Sequence, residues 1–445
     1  MEFEKFKQLV TEEAKALGLA EYELYYATSE SMRVNTFAHE INEVSSSLEG
    51  GVCFRCLVNG KMGYASAEEL SAETAARIVR RAQDNAAALE SEEPEFLAGG
   101  GGTYRPLPPQ VGGMPETETL IRKALDAQAA MYDEDPAVID GTNAEMIGMR
   151  DTVAICNSRG LDVSRERCMT ALVAAPVVSD GQEMSNAFEI LTGDAASMDY
   201  SATVKKAVQA AKGKLGADVA PTGAYPVVLG PKAVASLLTA YSGIFSSENA
   251  AKGLSRLQGR EGEKIAADVV TLTDDPFYKD SPMPADFDAE GTPTRTKAII
   301  ENGVLKTLLY NLKTAAAAGK ETTGNASKAG YDAPVQIRPF TLALAPGALT
   351  EAELLEKAGD GVFVDDFSGL HAGANPISGD FSLQSSGYML EGGKKTTAVK
   401  SFTVAGNFYT LLNQITALSD TAEYVFMGGV ASPCVLVEGL TVAGK

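Results

Sequence analysis

The sequence predicts an α+β protein in which two similar helix–sheet–helix units precede a mostly β C-terminal domain. The order of one helix, several strand-like runs and a second helix occurs twice before about residue 218. A stretch rich in glycine and proline, residues 96–115, separates the two occurrences and is typical of a linker. We therefore expect α+β units at 1–95 and 116–218, followed by a β-rich domain at 219–445.

The first unit begins with an amphipathic pattern that predicts a helix, and four strand-like runs follow it. Asn59-Gly60 lies between the last two runs, and this dipeptide is a strong signal for a tight hairpin. A long helix closes the unit, and Ser66 and Glu69 have the spacing of a capping box at its start. The second unit repeats this order, with a turn at Arg159-Gly160.

The C-terminal domain begins with a strand that leads into a helix from Pro231 to about Phe245, and proline suits the first turn of a helix. Most of the remaining sequence is predicted to form β-strands. Hairpins are predicted about Asn302-Gly303 and about Gly392-Gly393, and a buried strand ends the chain.

The cysteines predict neither a disulfide framework nor a redox or zinc motif. Five cysteines in 445 residues are few and odd in number. Cys53 and Cys56 form a CxxC, but the surrounding text reads as a strand, where residues three apart point to opposite faces. We expect buried, inert thiols at both positions, and likewise at Cys156, Cys168 and Cys434.

The composition argues against a nucleic-acid or membrane function. The chain carries 38 basic and 59 acidic side chains, a net charge of −21, and the acidic residues are spread along it. Such a charge disfavours non-specific binding to DNA or to an anionic membrane. No apolar run approaches the roughly 18 residues that span a bilayer, and the N-terminus has no signal-peptide core. We expect a cytoplasmic protein without nucleic-acid or membrane partners.

No familiar catalytic or metal-binding motif is present. The chain contains no GxSxG nucleophile elbow and no phosphate loop, and its two histidines, His39 and His371, fall in different expected domains. A histidine-based zinc site within the chain is therefore not expected. The segment 273–293 holds six carboxylates without the spacing of an EF-hand, and it reads as a solvated acidic loop with an adventitious cation site as the alternative.

Four stretches, which together span nearly the whole length, carry a resemblance to a known family. They are EINEVSSSLEGGVCFRCLVNGKMGYASAEEL, IFSSENAAKGLSRLQGREGEKIAADVVTLTDDP, FDAEGTPTRTKAIIENGVLKTLLYNLKTAAAAG and GANPISGDFSLQSSGYMLEGGKKTTAVKSFTVAGNFYTLLNQI. On these residues the chain resembles the TldD/PmbA proteins, and the PmbA (TldE) branch in particular. The resemblance implies a cytoplasmic, two-subunit metallopeptidase system that processes peptide precursors and degrades small unfolded proteins. An older label of the family is modulator of DNA gyrase.

In the TldD branch, the helix after a VVL strand carries an HExxxH zinc motif, and a cysteine nearer the C-terminus is a further ligand. Alignment places Thr239, Ala240 and Ile244 at the positions of the His, Glu and His. Neither the nitrogen donors nor the general base is present. Cys434 lies inside the last strand and is not equated with the zinc-binding cysteine. The resemblance thus implies no cofactor in this chain and zinc in a TldD-type partner.

The loop GLHAGANPISGDFS, from Gly369 to Ser382, has two interpretations. Its glycines and turn residues suit a self-supporting corner of the β domain. Alternatively, the loop forms one wall of a peptide cleft, in which an extended substrate adds a strand to a sheet edge. On the second interpretation His371, Asn375 and Asp380 lie near the cleft.

The hypothesis favoured by the sequence is a non-catalytic PmbA/TldE-type subunit, which acts on unfolded peptide as a heterodimer with a zinc-bearing TldD-type paralogue, or forms a homodimer when alone. Two other classes stay open. One is a self-sufficient metal-dependent hydrolase with an unrecognised site, and the other is a peptide-binding or regulatory protein without a peptidase role.

Overall fold

A single six-stranded antiparallel sheet unites the two N-terminal units. The computed structural model describes residues 1–90, 93–110 and 112–445. Its first half contains α1 (Phe3–Ala16), β1 (Glu21–Phe37), β2 (Glu40–Val58), β3 (Lys61–Ala67), α2 (Ala72–Ala88), α3 (Thr117–Glu134), β4 (Asn143–Asn157), β5 (Asp162–Ala175), β6 (Val177–Ser179), β7 (Met184–Asn186), β8 (Glu189–Thr192) and α4 (Ser201–Lys212). The strand order is β3-β2-β1-β4-β5-β8, so the predicted units meet where β1 pairs with β4. The repeated helix–sheet–helix order is confirmed.

One face of the sheet packs against the helices, and the other faces the C-terminal domain. Leu24 and Val34 of β1 are an even number of residues apart and point to the same side, where Leu24 packs with α1 and α2 and Val34 packs with α3 and α4. Tyr25 points to the other side, into a cluster that includes Phe287 of the C-terminal domain. This second face therefore forms one wall of the boundary between the two halves.

The two cysteines of the CxxC lie on opposite faces of β2, as predicted. Cys56 is fully buried under the helices, and Cys53 is buried on the side of the C-terminal domain. Burial raises the pKa of both thiols, that of Cys56 to about 11. All five cysteines are free, and four of them are buried as predicted, whereas Cys156 is only half-buried, so the expectation of a buried thiol is wrong there.

Three of the four strand-like runs of the first unit belong to one continuous hairpin, and the second of these runs contains its turn. β1 and β2 are joined at Ala38 and His39, both with positive φ (48° and 66°). Such turns normally carry Asn-Gly, so the sequence offered no turn signal here. The His39 ring stacks on Tyr132 at 4.1 Å between centroids, and this contact holds the histidine in the turn.

The predicted capping box of the second helix is wrong. Ser66 lies in β3, opposite Cys53 of β2, and α2 begins five residues later with Ser71 as its N-cap. The Ser71 hydroxyl accepts a hydrogen bond from the Thr74 backbone N–H at 3.1 Å. Pairing with β2 keeps the chain extended through Ser66, and this tertiary constraint overrides the local spacing.

The C-terminal domain is built from two six-stranded sheets. It contains β9 (Gly223–Leu229), α5 (Pro231–Tyr241), α6 (Ser247–Ala251), β10 (Leu272–Asp274), β11 (Lys297–Glu301), β12 (Val304–Leu305), α7 (Leu312–Ala318), β13 (Ala326–Ser327), β14 (Gln336–Ile337), β15 (Leu342–Leu344), α8 (Glu351–Ala358), β16 (Gly361–Ser368), α9 (Leu370–Gly373), β17 (Asp380–Glu391), β18 (Lys394–Asn407), α10 (Phe408–Gln414), β19 (Ile415–Leu418), β20 (Glu423–Val425), β21 (Val430–Ser432) and β22 (Val435–Ala443). One sheet has the order β18-β17-β16-β9-β22-β19, and pairing of β18 with β22 closes it into a barrel-like form. The other has the order β12-β11-β10-β15-β21-β20, and its apolar side chains share one core with α5 and α10. The predicted α+β class with a β-rich C-terminal domain is confirmed.

The segment expected to be a linker has no helix or strand in its described part, 96–110 and 112–115, but it is packed. Leu97 is only 2% exposed, and the Gly100 N–H donates to the Arg159 carbonyl at 3.0 Å. Farther on, the Tyr104 hydroxyl donates to the Gly291 carbonyl at 2.8 Å. The segment thus contacts both halves of the molecule.

Candidate functional site beside helix α5

A cavity of about 910 Å³ lies beside α5 and the turn that follows it. One wall carries small polar side chains, namely Thr239, Ser242, Ser246 and Asn249, and the other wall is the segment 334–339 that contains β14. Two charged side chains, Glu248 and Lys252, line the cleft on the α6 side. They pair with each other, with Lys252 Nζ 2.6 Å from Glu248 Oε1. The cavity is therefore a polar cleft without a free charge on this wall.

The local sequence explains how α5 presents Thr239 to the cleft. Pro231 begins the helix, and Val234, Leu238 and Tyr241 supply its buried face. The α-helix ends at Tyr241, and a 3₁₀ turn over Ser242–Phe245 continues the chain.

The three positions aligned with the zinc motif do not point to one place. Thr239 lines the cleft, Ala240 is half-buried against the core, and Ile244 is fully buried in it. A hydroxyl, a methyl group and a hydrocarbon side chain supply no imidazole or carboxylate donor. These residues therefore do not fit a hydrolytic zinc ion at this location.

A second cavity of about 360 Å³ adjoins the first, because Thr239 and Gly428 line both. Gly428 has φ +110°, and a Cβ added there would lie 2.3 Å from Thr239 Oγ1. Glycine is required for this close approach. Leu370, next to His371, also lines the second cavity.

The loop that holds the three candidate cleft residues is a hydrogen-bonded corner. Asn375 Oδ1 accepts from the N–H groups of Ile377 and Ser378 at 3.0 and 3.1 Å. Asp380 Oδ1 accepts from Asn407 Nδ2 at 2.8 Å, and this bond holds the pKa of Asp380 below its usual value. His371 lies in α9 and is exposed. Among the described residues, none of these three side chains lines the two cavities, and their contact with peptide stays a prediction.

The expectation of a solvated acidic loop is wrong for Asp274, Asp288 and Glu290, which are 0%, 1% and 4% exposed. Asp274 accepts from Lys297 Nζ at 2.8 Å and from the Phe340 N–H at 2.7 Å. Backbone amides and one ammonium group satisfy these carboxylates, which allows them to be buried. Burial also raises the pKa of Asp288 and of Glu290.

A third cavity of about 530 Å³ lies between the N-terminal sheet and the C-terminal domain. Its basic wall residues are Arg165, Arg167, Lys328 and Arg338. Arg338 and Pro339 also line the 910 Å³ cleft, so the two spaces adjoin. Sequence reasoning missed these residues, although the alternation Arg165-Glu166-Arg167 in a strand places two arginines on one face.

The described ranges hold neither an evident metal-binding group nor a helix that could span a membrane. Among residues 1–90, 93–110 and 112–445, no group of three or more His, Cys, Asp or Glu side chains could hold a metal ion. Over the same ranges, no helix has the length and hydropathy needed to cross a bilayer.

Three family models match consecutive parts of the chain. They are the PmbA/TldA metallopeptidase domain 1 at residues 22–86, the central domain at 113–215 and the C-terminal domain at 222–444. The chain belongs to the PmbA/TldD metallopeptidase family. Membership confirms the resemblance noted in the sequence, and the match runs through the α5 cleft.

Solved structures agree with this membership. A candidate modulator of a DNA gyrase from Thermotoga maritima is 30% identical, with a TM-score of 0.90 over 99% of this chain and 100% of that one. TldE from Thermococcus kodakarensis is 25% identical, with a TM-score of 0.89 over 98% and 99%. A protein named metalloprotease from Methanothermobacter thermautotrophicus is 27% identical over 84% of this chain and 83% of its own.

Proposed function

We propose that this family member is the PmbA/TldE-type subunit of a two-subunit metallopeptidase, and that it binds unfolded peptide while a TldD-type partner holds the zinc. The carrying observation is a polar cleft beside α5, in which Thr239, Ala240 and Ile244, the residues aligned with the zinc motif, offer no imidazole or carboxylate donor. The similarity to TldE from Thermococcus kodakarensis supports the same assignment.

The cleft suits an extended chain. β14 forms one wall and pairs only with β13 among the described strands, so it has a free side for strand addition. Gln336 in β14 is exposed beside this space. Backbone pairing of this kind reads little side-chain identity, which agrees with a system that acts on peptide precursors and unfolded proteins. We place that system in the cytoplasm, where five unpaired cysteines are ordinary.

Of the alternatives, a self-sufficient hydrolase with metal on the acidic loop is disfavoured by the contacts of that loop. Asp274 and Asp288 have both carboxylate oxygens engaged by protein donors, and Glu290 has one oxygen bound to the Leu312 N–H at 2.9 Å. Few lone pairs are left for a cation. A binding or regulatory protein without a peptidase partner remains the second candidate.

The test is a pull-down of the native chain from its own cells, followed by metal analysis and peptidase assays. We expect an HExxxH-bearing paralogue to be captured with about one zinc per pair. The chain alone should not cleave unfolded peptide, and the pair should do so in a chelator-sensitive manner.

The matched control is the same pair with the Glu of the partner's HExxxH motif changed to Gln, which should assemble but lose cleavage. Chelator-sensitive cleavage by the homogeneous chain alone would overturn the proposal in favour of a hydrolase. Failure to capture any such paralogue would favour the binding or regulatory function.

A further inference from the structure

We infer that the 530 Å³ cavity between the N-terminal sheet and the C-terminal domain is an anion site, in which Arg165, Arg167 and Lys328 bind a carboxylate of an extended peptide. Four basic and four acidic side chains line the cavity, so the feature that suits an anion is a set of N–H donors without partners rather than an excess of positive charge. The identity of the ligand as a peptide rests on the proposed function.

Two of the cations are arginines on one face of β5. Arg165 donates to the Phe287 carbonyl and lies 3.5 Å from Asp286 Oδ1, with its guanidinium 4.3 Å from the centre of the Phe287 ring. The side chains of Arg165 and Arg167 are only 9% and 16% exposed, respectively, and the Nε atom of each is buried without a hydrogen-bond partner.

The positive charge of Arg167 is only weakly compensated by a nearby carboxylate. Its Nη1 donates to the carbonyls of Met283 and Pro284, both at 3.2 Å, and its Nη2 lies 3.8 Å from Asp151 Oδ2, beyond a good hydrogen bond. Burial, and then the positive charge of Arg165, lowers the pKa of Arg167 to about 10. The two guanidinium groups therefore repel each other in a poorly solvated place.

Lys328 is the third cation and lacks a counter-ion. Its Nζ donates to the Tyr331 carbonyl at 2.8 Å and lies 4.3 Å from the centre of the Tyr25 ring. Within the described ranges, it forms no ion pair with an Asp or Glu oxygen at 4.0 Å or less. Burial lowers the pKa of this ammonium group. Lys328 is half-buried, and a cation held only by a carbonyl and a ring in such a place is stabilised by an anion that reaches it.

Carboxylates lie near these cations but leave some of their N–H donors unused. Asp286 and Asp151 lie 3.5 and 3.8 Å from Arg165 and Arg167. Asp288 accepts from the N–H groups of Glu290, Thr292 and Ala326 at 2.9, 3.0 and 2.9 Å. Glu49 and Asp332 also line the cavity and are exposed. The Nε atoms of both arginines still have no partner, and among the described residues the Lys328 ammonium group has no hydrogen bond to a carboxylate.

The cavity adjoins the proposed peptide cleft through Arg338 and Pro339. Its volume falls within the range of small-ligand pockets. A peptide bound beside β14 could therefore extend into it with either a C-terminal carboxylate or an acidic side chain. Arginine forks and an ammonium group are the donors that recognise carboxylates in proteins.

The experiment measures binding of fluorescently labelled peptides to the isolated full-length chain, without a partner or zinc. One peptide of neutral residues has a free C-terminus, a second has the same residues and an amidated C-terminus, and a third is amidated with one internal glutamate. Variants are Lys328→Met, Lys328→Arg and, as the control, Lys264→Met, whose lysine is 55% exposed and pairs with Asp268.

We expect the free carboxylate or the glutamate peptide to bind at least about tenfold more tightly than the neutral amidated peptide. Lys328→Met should remove most of this difference, whereas Lys328→Arg and Lys264→Met should retain it. A preference for the first peptide identifies the chain terminus as the ligand, and a preference for the third identifies an acidic side chain.

Equal binding of all three peptides, or an unchanged preference in Lys328→Met, would overturn the anion site. If Lys328→Met unfolds, Arg167→Gln and Arg167→Lys serve as the second pair, with thermal unfolding as the check on folding. Because no partner takes part, the result is separate from the pull-down: a failed capture leaves the anion site standing, and a lost preference leaves the two-subunit proposal standing.

Discussion

Buried polar side chains distinguish this chain at the residue scale. Glu290 is 4% exposed and accepts from the Leu312 N–H at 2.9 Å, at the first turn of α7. Burial and then the negative charge of Asp288 raise its pKa. The carboxylate was visible in the sequence, but its burial depends on how the loop packs between β2 and α7.

The protonation of Glu290 should make the free energy of unfolding depend on pH. The unfolded chain releases the Glu290 proton near the ordinary glutamate pKa of 4.5, whereas the folded chain holds it to higher pH. Between the two values the folded state binds more protons, so the free energy of unfolding should fall as the pH rises. Glu290→Gln removes the titration and keeps an acceptor for the Leu312 N–H. We expect Glu290→Gln to be more stable than the wild type at pH 8, by about 1.4 kcal/mol per unit of pKa elevation.

Urea unfolding at pH 5 and pH 8 checks this expectation. Glu438→Gln, at an exposed position in β22, is the control and should leave the pH profile as it is in the wild type. A Glu290→Gln variant that is less stable than the wild type at pH 8 would show that the carboxylate is ionised and stabilising in the folded protein.

At the scale of elements, turns and caps determined which predictions succeeded. The Asn59-Gly60 and Asn302-Gly303 hairpins have positive φ at both residues, as this dipeptide predicts. The Ala38-His39 hairpin has the same geometry without the signal. The Asn-Gly dipeptides therefore predicted their turns correctly. No local pattern predicted the Ala38-His39 turn, which the pairing of two long strands imposes.

The start of α2 gives a direct comparison of two serines. Ser71→Ala removes the acceptor of the Thr74 N–H and should lower the free energy of unfolding by about 1 kcal/mol. Ser66→Ala, at the exposed end of β3, should change it by less than about 0.5 kcal/mol. Denaturant titration of both variants tests the helix boundary, and the reverse order of effects would restore the boundary that the capping-box spacing predicts.

At the scale of the whole molecule, the shared sheet and the packed segment 96–110 join the two halves. The segment carries no periodic signal and forms no helix or strand of its own. Its backbone is held by the turn between β4 and β5, through the Ala98 carbonyl and the Gly100 N–H. Its contacts depend on backbone approach at one of its glycines.

Two neighbouring glycines test this packing. A Cβ at Gly100 would lie 2.2 Å from the Gly160 carbonyl oxygen, whereas a Cβ at Gly99 would meet nothing within 4 Å. Gly100→Ala should therefore cost about 1–3 kcal/mol and speed proteolysis within 96–110, and Gly99→Ala should do neither. Limited proteolysis followed by mass mapping distinguishes them, and equal rates for the two variants would mean that the segment is a free linker.

The sequence by itself determined the α+β class, the repeated order of elements and the family, because periodicity, Asn-Gly turns and long matching stretches are local properties of the chain. The resemblance also predicted that Thr239, Ala240 and Ile244 stand at the positions of the zinc motif. Only the tertiary structure decided that the two units share one sheet, that acidic-loop carboxylates are buried, and that Arg165, Arg167 and Lys328 line one cavity. Those features depend on pairing and burial between residues far apart in the chain, and no local pattern encodes them.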